Sequence, residues 1–138
     1  MLTGGCHCGE VRYNVEGRTT NRAICHCTIC RRTTGAPMVA WFSAAKKEFQ
    51  LLRGQLTAYR ARGFATRRSC ARCGTQTSFE DDNLPEEIDV TTCSLDEPDT
   101  VAPDHHIFAA RRLRWSNWTT ACPPMANGRA VSSAGSGH

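Results

Sequence analysis

Seven cysteines in three tight groups hold most of the chemistry available to this chain. The groups are Cys6-His7-Cys8-Gly9, Cys25-His26-Cys27-Thr28-Ile29-Cys30 and Cys70-Ala71-Arg72-Cys73-Gly74. Thiolates two or three residues apart can converge on one cation, and zinc is the usual occupant of all-sulfur tetrahedral sites. Four sulfurs close a structural site, whereas three leave one position open. Seven divide most naturally into four plus three, a partition that points to an enzyme rather than a plain zinc finger.

Cys6, Cys8, Cys70 and Cys73 are the candidates for the closed site. Each of their two groups ends in glycine, which lets the backbone turn and present amide N–H groups to sulfur. One ion shared between the groups would close a long loop and organise the fold. Cys25, Cys27 and Cys30 are the candidates for the open site, whose fourth position would take water or a substrate thiolate. Three thiolates make zinc a weak Lewis acid, better suited to holding a thiolate than to generating hydroxide. Arg31 and Arg32 follow directly and could balance the negative charge; the alternative is ordinary solvated surface charge. The alternative for the trio is a second closed site, completed by Cys93 or a histidine.

His7 and His26 alternate with ligands and are expected to point away from the metal. Cys93 reads as a buried structural thiol and Cys122 as a free one. One of His105 and His106 could face the site, although a loop or strand-edge role fits equally well. Trp115 and Trp118 read as packing residues.

The elements that position these groups are short. Glu10 to Val15 alternates with Val11, Tyr13 and Val15 on one face, a strand pattern. Gly17 to Asn21 reads as a turn. Cys25 to Thr34 has room for one helical turn with Thr28 at its N-cap, stopped by Gly35-Ala36-Pro37. Strands are expected at Met38–Phe42 and Glu48–Leu52, separated by Ser43 to Lys47. Leu56–Arg60 and Phe64–Ser69 form a hairpin-like pair delivering Cys70. Gln76–Phe79 and Ile88–Leu95 follow as strands around an acidic loop, Asp81 to Glu87. A Pro/Asp-rich loop then leads into Ile107–Ala110. Many short strands between frequent turns predict a mainly β fold.

The 138 residues suit one domain with a modest core: 7% are aromatic and mean hydropathy is -0.44. Metal sites would compensate for that core. No apolar run is long enough for a membrane span and no signal peptide is evident. A cytoplasmic location is expected, where thiols stay reduced and serve as ligands or catalysts. The formal charge is +4, but seven thiolates with two Zn²⁺ remove three charges and leave about +1, which argues against nucleic-acid binding. The domain is expected over residues 1–121, with residues 122–138 an Ala/Gly/Ser-rich flexible tail.

The pattern resembles the glutathione-dependent formaldehyde-activating enzyme family, which includes the centromere protein V group. It is carried by Gly5-Cys6-His7-Cys8-Gly9-Glu10-Val11-Arg12-Tyr13, by Cys25 to Arg32 with Gly35-Ala36, by Ser69 to Thr75, and by His105-His106-Ile107-Phe108 with Trp115. The resemblance implies a β-tent fold of short antiparallel sheets organised by zinc. It implies a structural zinc at Cys6, Cys8, Cys70 and Cys73 and a labile or catalytic zinc at Cys25, Cys27 and Cys30. It also implies carbon–sulfur lyase-type chemistry, in which glutathione adds to formaldehyde to give S-hydroxymethylglutathione. Arg31, Arg32, Arg111, Arg112 and Arg114 are plausible partners for glutathione's carboxylates. The rival readings are a scaffold with two structural zincs, working through the acidic loop or Arg111–Arg114, and a zinc or thiol sensor.

Overall fold

The computed structural model describes residues 1–61 and 63–116. Ten strands and one short helix follow one another along them: β1 Leu2–Gly5, β2 Arg12–Val15, β3 Thr20–Cys25, α1 Thr28–Thr34, β4 Val39–Ala45, β5 Phe49–Arg53, β6 Leu56–Ala61, β7 Ala65–Cys70, β8 Gln76–Asp81, β9 Glu87–Thr91 and β10 His105–Ile107. The expected mainly β fold is present. A three-stranded sheet runs β1-β2-β5, and a seven-stranded sheet runs β10-β3-β4-β9-β8-β7-β6. All pairings are antiparallel except β10 with β3, where His105, His106 and Ile107 lie beside Ala23, Ile24 and Cys25.

The side-chain period of two sorts the large sheet into two faces. On β4 and β9, Phe42, Ala44, Ile88 and Val90 point one way. They meet Tyr13 and Val15 of the small sheet in the main hydrophobic core. Tyr13, Phe42 and Val90 are fully buried there. On the other face stand residues of opposite parity: Cys25 on β3, Val39 and Trp41 on β4, which gather with Cys30 into a second buried cluster. One strand thus stabilises the fold with one set of residues and builds the site with the next.

Several elements differ from the expectation. Thr20–Cys25 is a strand that begins where a turn was predicted, because β4 supplies its ladder partners. Strand β4 runs on through Ser43, Ala44 and Ala45 because β9 pairs with all three. Cys27, not Thr28, is the N-cap of α1: its backbone is extended and its Sγ accepts from the Cys30 N–H. Strand β9 stops at Thr91, and Thr92–Ser94 turns as a 3-10 segment, which leaves Cys93 exposed rather than buried. Trp115 is 55% exposed. Trp118, Cys122 and the predicted tail lie outside the described residues.

Candidate functional site

Among the described residues, metal-ligating side chains gather into two groups, Cys6 with Cys8, Cys70 and Cys73, and Cys25 with Cys27 and Cys30. Within each group all sulfurs lie within 4.8 Å of one another. Four Zn–S bonds of about 2.3 Å at tetrahedral angles put sulfurs roughly 3.8 Å apart. The Cys6–Cys8 and Cys8–Cys70 separations are 3.4 and 3.8 Å, so the first group fits such an ion. The donors are soft thiols, which suit zinc.

The first group joins two turns across the chain. Gly9 and Gly74 have φ of 83° and 80°, a region open to glycine, and their N–H groups bond back to Cys6 and Cys70 carbonyls. The turns aim amides at sulfur: Val11 N–H donates to Cys6 Sγ at 3.2 Å, and Arg72 and Cys73 N–H both donate to Cys70 Sγ at 3.4 Å. The hydroxyl and amide of Thr75 hold the Cys73 thiol down to about 5. The His7 N–H donates to Thr75 Oγ1, which ties the two turns together; the His7 side chain itself is exposed.

The second group is set by the end of β3 and the start of α1. Cys25 and Cys30 are buried and Cys27 is partly exposed. The Cys25 thiol donates to Cys30, which pushes Cys25 up and, with Cys27 and Arg67 also contributing against burial, holds Cys30 down to about 5. Three sulfurs this close call for a cation. No histidine, carboxylate or further cysteine joins this group among the described residues, so Cys93 does not complete it. His26 is nearly fully buried, but it turns away from the sulfurs: its Nε2 is 2.8 Å from His106 Nδ1 and the two rings stack. Burial lowers its pKa, and the nearby Arg112 and Arg31 charges act in the same sense.

The cation facing this group is one that sequence reasoning missed. Arg67 on β7 is 7% exposed. Its Nη2 lies 3.8 Å from Cys30 Sγ, and its guanidinium sits 4.9 Å over the Phe79 ring. Arg31 and Arg32 lie on α1, Arg31 partly buried and reaching Thr28 Oγ1, Arg32 exposed. Arg111, Arg112 and Arg114 are exposed on the 3-10 turns after β10.

The trio opens onto a cavity of about 450 Å³ on the same face of the large sheet. Trp41, Phe79, Phe64 and Phe108 form aromatic walls, and Arg67 and Asp89 are also on the lining. The Asp89 carboxylate accepts from Ser43 Oγ at 2.5 Å. Burial raises its pKa, and the nearby Glu87, Asp81 and Cys30 charges add to the shift. The parity of Ala65 and Arg67 along β7 is the one sequence signal that could have placed Arg67 on this face.

Fold and site together define a β-rich domain with a closed four-cysteine cluster and a three-cysteine cluster opening onto a cavity. The chain matches the family described as glutathione-dependent formaldehyde-activating enzyme over residues 1–111. It belongs to that family. A Halomonas elongata protein bearing the name of a candidate glutathione-dependent formaldehyde-activating enzyme is 27% identical over 126 residues, covering 83% of this chain and 79% of its own. The crystal structure of a Rhodobacter sphaeroides protein superposes with a TM-score of 0.61 at 30% identity, over 75% of this chain and 98% of that one. Among the described residues no helix is long and apolar enough to cross a membrane.

Proposed function

We propose that this protein is a zinc-dependent carbon–sulfur lyase-type enzyme that forms or splits the adduct of a small thiol and an aldehyde, glutathione and formaldehyde being the pair the family name indicates. The single observation that carries the reading is the three-sulfur cluster, lacking a fourth protein ligand among the described residues and bordering a cavity. Cys6, Cys8, Cys70 and Cys73 would hold a structural ion. Cys25, Cys27 and Cys30 would hold a second, which when bound supplies a place for a substrate thiol as thiolate.

The chain's own residues do the rest. Arg67 offsets the negative charge that collects at Cys30. The aromatic walls place apolar surface beside the cluster. Holding a thiolate and a carbonyl together accelerates an addition that runs slowly in water. A reducing, cytoplasmic setting would keep all seven ligand thiols available.

The test uses zinc-loaded protein, glutathione and ¹³C-formaldehyde, with exchange between free formaldehyde and the S-hydroxymethyl carbon followed by NMR. Catalysed exchange, lost in Cys27→Ser, is the expected result. Exchange at the uncatalysed rate with both wild-type protein and the variant overturns the reading.

A further inference from the structure

The cavity beside Cys25, Cys27 and Cys30 has a composition that does not suit the body of a charged peptide thiol. A tripeptide with two carboxylates needs cationic partners. The buried cation on the lining is Arg67, which lies against Cys30 Sγ and the Phe79 ring; one guanidinium does not pair two carboxylates. The lining also carries two carboxyl groups, Asp89 and Glu87. A carboxylate entering here would lose its hydration among apolar walls.

Formaldehyde alone is equally ill-matched. The volume of about 450 Å³ lies within the rough 300–1,000 Å³ range of sites for organic ligands. A two-heavy-atom guest would leave most of it to water against apolar walls.

The mouth tells the same story. Ile29, Phe64, Leu84 and Phe108 are exposed, Phe108 by 63% and Leu84 by 52%, and all four stand on the lining. Large apolar side chains gathered at one opening mark a binding site more often than an inert surface. Among the described residues, Asn21 and Phe108 are the non-glycine residues with positive φ, 47° and 53°, and both also stand on this lining. Left-handed backbone at non-glycine residues is costly and concentrates at functional sites.

Among the polar groups of the lining, Asp89 can meet a neutral oxygen. Asp89 Oδ1 accepts from Ser43 Oγ, which Asn21 Nδ2 reaches at 3.3 Å. Among the described residues, Oδ2 has no hydrogen-bond partner. Burial among these walls raises its pKa, which makes this carboxyl a readier proton donor than a solvated one.

We propose that this cavity seats a neutral aldehyde with an aromatic or branched aliphatic body, its carbonyl oxygen at the Asp89 carboxyl and its carbonyl carbon toward the Cys25, Cys27 and Cys30 sulfurs, an inference that rests on the thiol–aldehyde reading above. The step balances as a simple addition. The sulfur of a thiolate forms a bond to the carbonyl carbon. The C=O π pair moves to oxygen, which takes the Asp89 proton. The proton the thiol gave up to solvent returns to Asp89. The product is a thiohemiacetal, and no oxidant or reductant is needed. Glutathione's charged body stays outside the cavity while the apolar co-substrate fills it.

The test combines binding with turnover on the full zinc-loaded chain. In ¹⁹F NMR, 4-fluorobenzyl alcohol serves as the unreactive probe and 4-fluorotoluene as its oxygen-free partner. The alcohol is expected to bind about tenfold more tightly than the toluene, a difference of about 1.4 kcal/mol. Asp89→Ala should bring that preference to about one, and Asp89→Asn, which still donates, should keep it. Phe64→Ser and Leu84→Ser, at exposed positions where folding is not at stake, should each weaken both probes several-fold. With glutathione, 4-fluorobenzaldehyde should be used in preference to formaldehyde.

Failure to bind either probe, while formaldehyde exchange is catalysed, overturns the inference and leaves the function standing. Binding without turnover of any aldehyde overturns the function, and with it the assignment of the occupant as substrate. Shifts of the same lining residues on raising protein concentration without probe overturn it in favour of a second copy of the chain.

Discussion

Replacing Arg67 with methionine should selectively weaken metal at the three-cysteine cluster. The guanidinium lies 3.8 Å from Cys30 Sγ. At that distance two full charges interact by about 4 kcal/mol at an effective dielectric near 20. With a dication bound, three thiolates share one net negative charge, so roughly a third of that figure, about 1.5 kcal/mol, falls on Cys30. That is about tenfold in affinity, and the other two sulfurs extend the expected loss towards hundredfold, within the range seen for groups that support metal ligands. Methionine suits the test because it is long, apolar and able to keep contact with Phe79. It also removes a guanidinium Nε that is buried without a hydrogen-bond partner, so the fold has little to lose. The assay is competition with a chromophoric chelator, read as two release steps. The first step should move by tenfold to hundredfold while the second, from Cys6, Cys8, Cys70 and Cys73, stays in place. Arg67→Lys should lie between, since it keeps the charge and loses the planar fork. Two unmoved steps, or two that move equally, would refute the charge argument.

Three further outcomes follow from the same geometry. Cys70→Ser removes a buried thiol of the four-cysteine group; a structural zinc held there would contribute roughly 10–16 kcal/mol, as in small domains, more than most folds have in reserve, so circular dichroism should show no cooperative melt, and a normal melting curve would contradict the closed site. Cys27→Ser acts at the cluster bordering the cavity and should keep the melt while losing about one zinc per chain by elemental analysis; unchanged zinc would contradict the assignment. Gly4→Ala places a Cβ 2.5 Å from Tyr13 Oη and 2.6 Å from the Ser94 carbonyl, where Tyr13 is held by its bond to Ser94 Oγ; a loss of about 1–3 kcal/mol in urea denaturation is expected, and wild-type stability would show that this packing is loose.

The cysteine groups were legible because ligand spacing is local, and a thiol two or three residues from another has few other uses. The β class was legible for a similar reason, since Val11, Tyr13 and Val15 alternate within one short segment. What depended on partners was not. Thr20-Asn21 is polar and reads as the end of a turn, yet both lie in the strand that pairs with β4. Cys93 follows an alternating run, but the chain turns at Thr92 and exposes it. Thr28 looked like the capping residue because sulfur is an uncommon cap, and Cys27 fills that position while belonging to the cluster. Arg67 shows the limit most clearly. An arginine in a strand reads as facing solvent, and only the large sheet decides that its parity points at Cys30. The same holds for Asp89, whose neighbours Ile88 and Val90 belong to the core on the opposite face.

The most direct test of the account is X-ray absorption at the zinc edge on the purified full chain, before and after a saturating thiol. One closed and one open site predict two zincs per chain, with an average sulfur coordination of about 3.5 that rises to about 4 when the thiol fills the open position. A single zinc per chain, or an average already at about 4 that the thiol leaves unchanged, would contradict an open thiol-binding centre at Cys25, Cys27 and Cys30.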